Sequence, residues 1–248
     1  MQFHLPKPLH GWRAFAGEVG IIVIGVLIAL GAQQLIENRN DRGRANDAMA
    51  ALGREIVDHD FYASEIEIAR PCIDAQIDVI QKRLVAGDQT PLPQYSDKIF
   101  NYGFVIRAPV RNWTGTAWDS VKDTDVLRQI EPEFAAWMAN YYGQLGEQRS
   151  TNGVARGDLN SINALAVMMP HGDSDRLRFI EILSRLRSTI GSLDLVAGQL
   201  RDKMAKTRTL MPDDLRQRDL GDSGTIKFCK AHNLPLATLR PADARQAD

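Results

Sequence analysis

GEVGIIVIGVLIALGAQQLI, running from Gly17 to Ile36, is apolar almost without interruption, and no polar side chain occurs between Val19 and Ala32. About twenty residues at 1.5 Å rise make a helix about 30 Å long, which is the hydrocarbon thickness of a bilayer. A core helix of a soluble domain keeps a polar face for water; this run leaves none. The competing reading is a cleavable signal peptide, with Ala29-Leu30-Gly31 as a small-x-small site and Lys7 and Arg13 ahead of the apolar run. Glu18 at the mouth of the run, the long leader with Pro6 and Pro8, and helical sequence continuing past Gly31 favour a retained anchor. Trp12 and Phe15 stand where interfacial aromatic side chains anchor a span. Ala16 with Gly20, and Gly25 with Ala29, form small-x-x-x-small pairs that permit a second helix to approach closely.

Beyond the anchor the apolar pattern becomes periodic. Ala45, Met49, Leu52, Ile56, His59, Ala63, Ile66, Arg70, Ile73, Ile77, Ile80 and Leu84 follow alternating steps of four and three in one heptad phase, the signature of a long amphipathic helix or of two stacked ones. Pro71 is expected to bend or divide it, because proline lacks the amide proton and crowds the preceding turn. Phe179, Leu183, Leu186, Ile190, Leu193, Ala197, Leu200 and Met204 repeat the device, behind a cap at Asp173 or Ser174.

Less regular chain lies between. Pro91, Pro93, Gly103 and Pro109 mark a connection in which only Ile99 to Ile106 suits a short strand or helical turn. Pro132 fits the first turn of a helix whose Phe134, Trp137, Met138, Tyr141 and Leu145 share a face. Gly143, Gly146, Gly153 and Gly157 weaken its continuation, and a further helix is expected over Asn160 to Met169. The organisation is thus a leader, 1–16; a transmembrane helix, 17–36; a long helical stalk, 37–86; a connection, 87–110; the bundle remainder, 111–211; and an irregular tail, 212–248. The fold class is mainly α, one N-terminal transmembrane helix followed by a long-helix antiparallel bundle.

Two sets of residues also carry a resemblance. Gly17-Glu18, then Val23-Ile24-Gly25-Val26-Leu27-Ile28-Ala29-Leu30, with Glu37 and Arg39 after it, is similar to the start of a bacterial family of N-terminally anchored single-pass membrane proteins of unknown function. Thr116-Ala117-Trp118-Asp119-Ser120 and the later Tyr141-Tyr142 resemble that family's T-A-[YW] segment and its downstream Y-Y. The resemblance implies membrane attachment and a mostly helical body, and it brings no activity with it.

Chemistry is sparse. Glu55 and His59 lie four apart on one helix face, a spacing compatible with metal ligation, but bundle metal sites draw Glu-x-x-His pairs from more than one helix and zinc peptidases need His-Glu-x-x-His. Intrahelical pairing and solvation explain them better. His171 follows Pro170 in a turn, and Ser223 in Gly221-Asp222-Ser223-Gly224 lacks the G-x-S-x-G elbow. Neither G-x-G-x-x-G nor G-x-x-x-x-G-K-[ST] occurs. Trp113, Trp118, Trp137, Tyr141 and Tyr142 read as core before they read as a pocket. Cys72 and Cys229 are the two cysteines; in an oxidising compartment they could pair, but helix and tail positions give no reason for their approach, so free thiols are expected. No catalytic, cofactor-binding or metal residue is therefore assigned.

The balance of 30 basic against 31 acidic residues argues against a nucleic-acid partner. The basic cluster Arg176, Arg178, Arg185 and Arg187 is interleaved with Asp173, Asp175 and Glu181 and reads as a solvated face. A count of Lys7 and Arg13 against Arg39, Arg42, Arg44 and Arg54 favours the body inside, whereas the basic leader of the resembled family implies the body outside, in the periplasm of a bacterial inner-membrane protein. The second orientation is adopted. Three functional classes follow: a noncatalytic envelope scaffold, sensor or interaction module whose partners are the lipid bilayer and a second copy or another membrane protein; an anchored enzyme whose site is not readable; and a secreted helical binding protein after cleavage. The first is preferred.

Overall fold

The computed structural model describes residues 12–97, 102–207 and 219–240, and the chain divides into two compact units, Met1–Asp47 and Ala48–Asp248. Most of the expected leader, with Lys7, Pro6 and Pro8, lies outside the described residues. The first unit is helical throughout its described part, the beginning of helix α1 (Trp12–Val85). It contains an 18-residue window of mean hydropathy 2.3, none of which is buried. Ile21, Ile22, Leu27 and Ile28 are each more than three-fifths exposed, so this apolar run is no core helix.

The second unit is a helical bundle. Helix α1 packs antiparallel to α4 (Asp173–Thr207): Arg201 of α4 pairs with Asp60 and Glu67, and Arg187, further back along α4, reaches Asp74 and Asp78. Helix α3 (Pro132–Ile162) also runs antiparallel to α4, with Lys203 bonded to Asn140, Gln148 to the Leu193 carbonyl and Arg185 to Asp158. Both heptad series enter the core as the periodicity predicts. Leu52, Ile56, Ala63, Ile66, Ile73 and Ile77 face Leu183, Leu186, Ile190, Leu193, Ala197 and Leu200 within one buried cluster. Arg70, a polar residue at a stripe position, bonds Asp74 and lies over α4 at Gly191, where a Cβ would meet its guanidinium at 3.0 Å.

Because α1 and α3 run in the same direction, the chain between them must come back along the bundle. It does so as an extended strap, Val105 to Gly115. Before it, strands β1 (Tyr95–Asp97) and β2 (Tyr102–Phe104) form an antiparallel hairpin in which Tyr95 opposes Phe104. The expected strand over Ile99 to Ile106 is thus realised at 102–104, while 98–101 lie outside the described residues. The strap then passes Asn163, Gln76, Glu65 and Glu55 in turn and delivers the short helix α2 (Thr116–Val121) and a 3-10 turn, Asp125–Gln129.

Three local expectations are corrected. Helix α1 is not divided at Pro71 but continues as one helix to Val85, and the carbonyl of Ile68, close to the loosened turn, accepts a hydrogen bond from the Ala237 backbone amide at 2.9 Å. Packing on both sides holds the helix where the missing amide would break an isolated one. Helix α3 runs unbroken through Gly143, Gly146, Gly153 and Gly157, all exposed, because Met138, Tyr141, Leu145, Ala155 and Ile162 bury its other face. It ends at Ile162, and a 3-10 turn, Asn163–Ala166, replaces the separate helix expected there.

The tail is also more ordered than its composition suggests. Residues 212–218 lie outside the described part, but α5 (Gly224–Ala231) follows, capped by Ser223, whose Oγ accepts from the Ile226 amide at 3.0 Å. Cys229 of α5 forms a disulfide with Cys72 of α1, their Cα atoms 6.0 Å apart. Free thiols were expected because a helix position and a low-complexity tail shared no visible signal. The tail folds back over α1, and contacts made by neither cysteine bring the two together.

Candidate functional site

Polar residues inside the bundle are the first place to look for chemistry. His59 is fully buried and Glu55 nearly so, yet they are not bonded to each other. The Nδ1 of His59 lies 2.9 Å from the Tyr141 hydroxyl, which in turn faces the Met204 sulfur at 3.6 Å. Glu55 accepts from the Thr114 hydroxyl at 2.8 Å, the Thr116 amide at 2.9 Å and the Tyr142 hydroxyl at 2.7 Å. The intrahelical pair and solvated face expected for these two residues are replaced by ties to α3 and to the end of the strap. Among the described residues no group of three His, Cys, Asp or Glu side chains converges as a metal site would require.

Burial holds His59 down to about 4, against the opposing charges of Glu55 and Asp58. Burial, and then the hydrogen bond to Glu55, push the Tyr142 hydroxyl far up; burial raises Tyr141 as well. These are neutral structural groups across the physiological range.

The His59 shift has a measurable consequence. In the unfolded chain its imidazole titrates near 6.5. Above that value it is neutral in both states and adds no pH dependence. As pH falls toward 4 the unfolded state takes the proton and the folded state does not, so stability declines by roughly 3 kcal/mol. Urea denaturation of His59→Gln should therefore show a weaker acid loss than the parent between about pH 7 and about pH 4. Parallel pH profiles would show that His59 is not the source.

Glu65 and Glu67 carry the other buried ties. Arg111 grips fully buried Glu65 with two parallel bonds, Nε to Oε2 at 2.6 Å and Nη2 to Oε1 at 2.7 Å, and the Ser223 hydroxyl donates to the same carboxylate. Glu67 receives Arg201 at 3.0 Å and the Arg240 backbone amide at 2.8 Å. Along the strap, side chains stand in for a neighbouring strand. Gln76 accepts from the Arg107 amide at 2.8 Å and donates to its carbonyl at 3.2 Å. Asn152 donates to the Arg111 carbonyl, Arg149 to that of Trp113, and Asn163 accepts from the Val105 amide. The acidic cluster around His59 includes Glu65 and Glu67 and reads from sequence as solvated or paired within the helix, whereas both are tied to other segments; sequence reasoning passed over Gln76, Asn152 and Asn163. The available signal was a polar residue on a helix face that otherwise carries the apolar stripe.

The remaining sequence candidates have structural places. Ser223 is the α5 cap and His171 is an exposed loop residue. Trp113 and Tyr141 are core, Trp118 stacks on Tyr142 with ring centroids 5.5 Å apart, and Trp137 stacks between Phe134 and Tyr141. Of the basic cluster, Arg176 pairs with Asp173, Arg185 with Asp158, and Arg187 with Asp74 and Asp78.

Among the described residues, the strap and α3 leave a groove open to solvent. Two adjoining cavities, about 500 and about 660 Å³, flank the strap where it lies against α3, and they share Asn112 and Arg156. The smaller is built by Trp113 to Thr116 with Arg149 and Gly153; the larger by Ile106 to Arg111 with Leu159 and Asn160. Each is of the size that holds a small ligand or a few residues of peptide.

No protein-family model, curated protein or solved structure matches this chain. Its geometry alone must therefore carry the functional reading.

Proposed function

We propose that the chain is a single-pass membrane protein of the bacterial envelope, with its helical body a noncatalytic interaction module outside the cytoplasm. The observation that carries the reading is the apolar window of α1, long enough to span and wholly unburied. A soluble protein seldom leaves so large a contiguous apolar surface in water. The Cys72–Cys229 disulfide supports the side of the membrane, since such bonds persist in oxidising compartments and are rare in the cytosol. Noncatalytic action is supported by the buried residues of catalytic type: His59, Glu55, Glu65 and Glu67 each tie secondary structure together. The partners of this reading are the lipid bilayer and another protein, either a second copy or a different membrane component; nucleic acid is not among them.

Alkaline carbonate extraction tests the anchor. The intact protein is expected to stay with the membranes, because a helix satisfies its backbone bonds inside a bilayer, and a chain lacking residues 17–36 is expected in the soluble fraction. Release of the intact protein, or a mature N-terminus near Ala32, would replace the anchor with a cleaved signal. Alkylation of intact cells tests the side: Cys72 and Cys229 should be blocked until a reductant is added, and free thiols would put the body in the cytoplasm.

A further inference from the structure

From the groove between the strap and α3 we infer a binding site for an acidic peptide segment of a partner protein, held in extended form. This deepens the reading of the body as an interaction module and rests on it. Among the described residues the two cavities are lined by four arginines, Arg107, Arg111, Arg149 and Arg156, against one carboxylate, Asp119, which Lys122 already pairs at 2.9 Å. In a chain of net charge −1 this is a local concentration of positive charge, and such a cleft draws anions. Arg111 is neutralised by Glu65, and Arg149 uses its Nε on the Trp113 carbonyl. Arg156, exposed and shared by both cavities, has no hydrogen-bond or ion-pair partner among the described residues.

Shape and polarity indicate a peptide over a compact anion. Arg149 and Arg156 stand seven residues apart on α3, about 10 Å along its axis, a distance an extended chain covers in about three residues. Gly153 lies between them on the same face. Open space surrounds the point where its Cβ would be, so packing does not require glycine in this helix interior, where it is a poor helix former; its presence leaves the floor of the groove bare. The side chains of Asn112 and Asn160 are exposed and hydrogen-bonded to no described residue. Each side-chain amide offers a donor and an acceptor together, which a peptide backbone uses and a phosphate cannot.

The test is fluorescence anisotropy on the full chain in detergent, with labelled hexaglutamate, hexaglutamine and inorganic tripolyphosphate as probe, control and competitor. Hexaglutamate is expected to bind, more weakly at high salt, and hexaglutamine not to bind. Arg156→Glu should weaken binding about tenfold by reversing a charge at the groove. Gly153→Leu fills the floor and should abolish binding, while its thermal midpoint stays level or rises because leucine is the better helix former at an open position. Binding that both variants retain, or no binding by the parent, overturns the site. Tripolyphosphate that displaces hexaglutamate at equal or lower concentration overturns the peptide in favour of a simple polyanion. Failure of the membrane reading shows in fractionation and leaves these anisotropy results unchanged.

Discussion

Replacing Cys72 and Cys229 together by alanine is expected to destabilise the second unit by 2 to about 5 kcal/mol. The bond joins residues separated by 157 positions, and in the chain-entropy treatment a closed loop of that size restricts the unfolded ensemble by about 5 kcal/mol. The tail it retains has few large apolar residues of its own, and it is held by Ser223 on Glu65, Ala237 on Ile68 and Arg240 on Glu67. Without the covalent tie those contacts must order the tail against its own chain entropy. Urea denaturation of the parent with and without reductant, beside the double variant, measures the effect. Reduced parent and variant should coincide, and a change under about 1 kcal/mol would mean that the noncovalent contacts suffice.

Arg111→Met is expected to cost about 3 to 5 kcal/mol, because it strands the Glu65 carboxylate, fully buried, with the Ser223 hydroxyl as its remaining side-chain donor among the described residues. The reverse change, Glu65→Met, leaves an arginine whose side chain is one-third exposed and can turn to water, so it should cost less. The double variant should recover much of the loss, since removing both charges also removes their desolvation. Thermal and urea unfolding of the four proteins form a double-mutant cycle. Near-zero coupling between the two positions would show that the strap is held by its backbone ties alone.

The elements legible in the sequence were those set by repetition. Both heptad series entered the core with Leu52, Ile77, Leu186 and Leu200 as read, and the unburied apolar helix at the start followed from composition. Illegible were the features that depend on one residue meeting another far along the chain. Nothing local to Gln76 announces that it will bond Arg107 on both sides of its peptide, and nothing local to Cys72 announces α5. The glycines of α3 and Pro71 of α1 were misjudged for the same reason: propensity is a local quantity, and burial of Tyr141, Leu145 and Ile73 outweighed it. The groove was missed because its arginines, Arg107, Arg111, Arg149 and Arg156, are scattered in sequence and meet only when the strap lies down beside α3.

The return of the tail to α1 also sets an order of events during synthesis. Helix α1 and its Ile68 carbonyl are made early, and Cys229 follows Cys72 by 157 positions, so the bundle must wait, open at that turn, until the later segment arrives. A nascent chain that stalls between Met204 and Ser223 has both heptad series but no α5, no partner for the Cys72 thiol and no Ser223 on Glu65. The disulfide can therefore close only in a chain whose synthesis has passed Cys229.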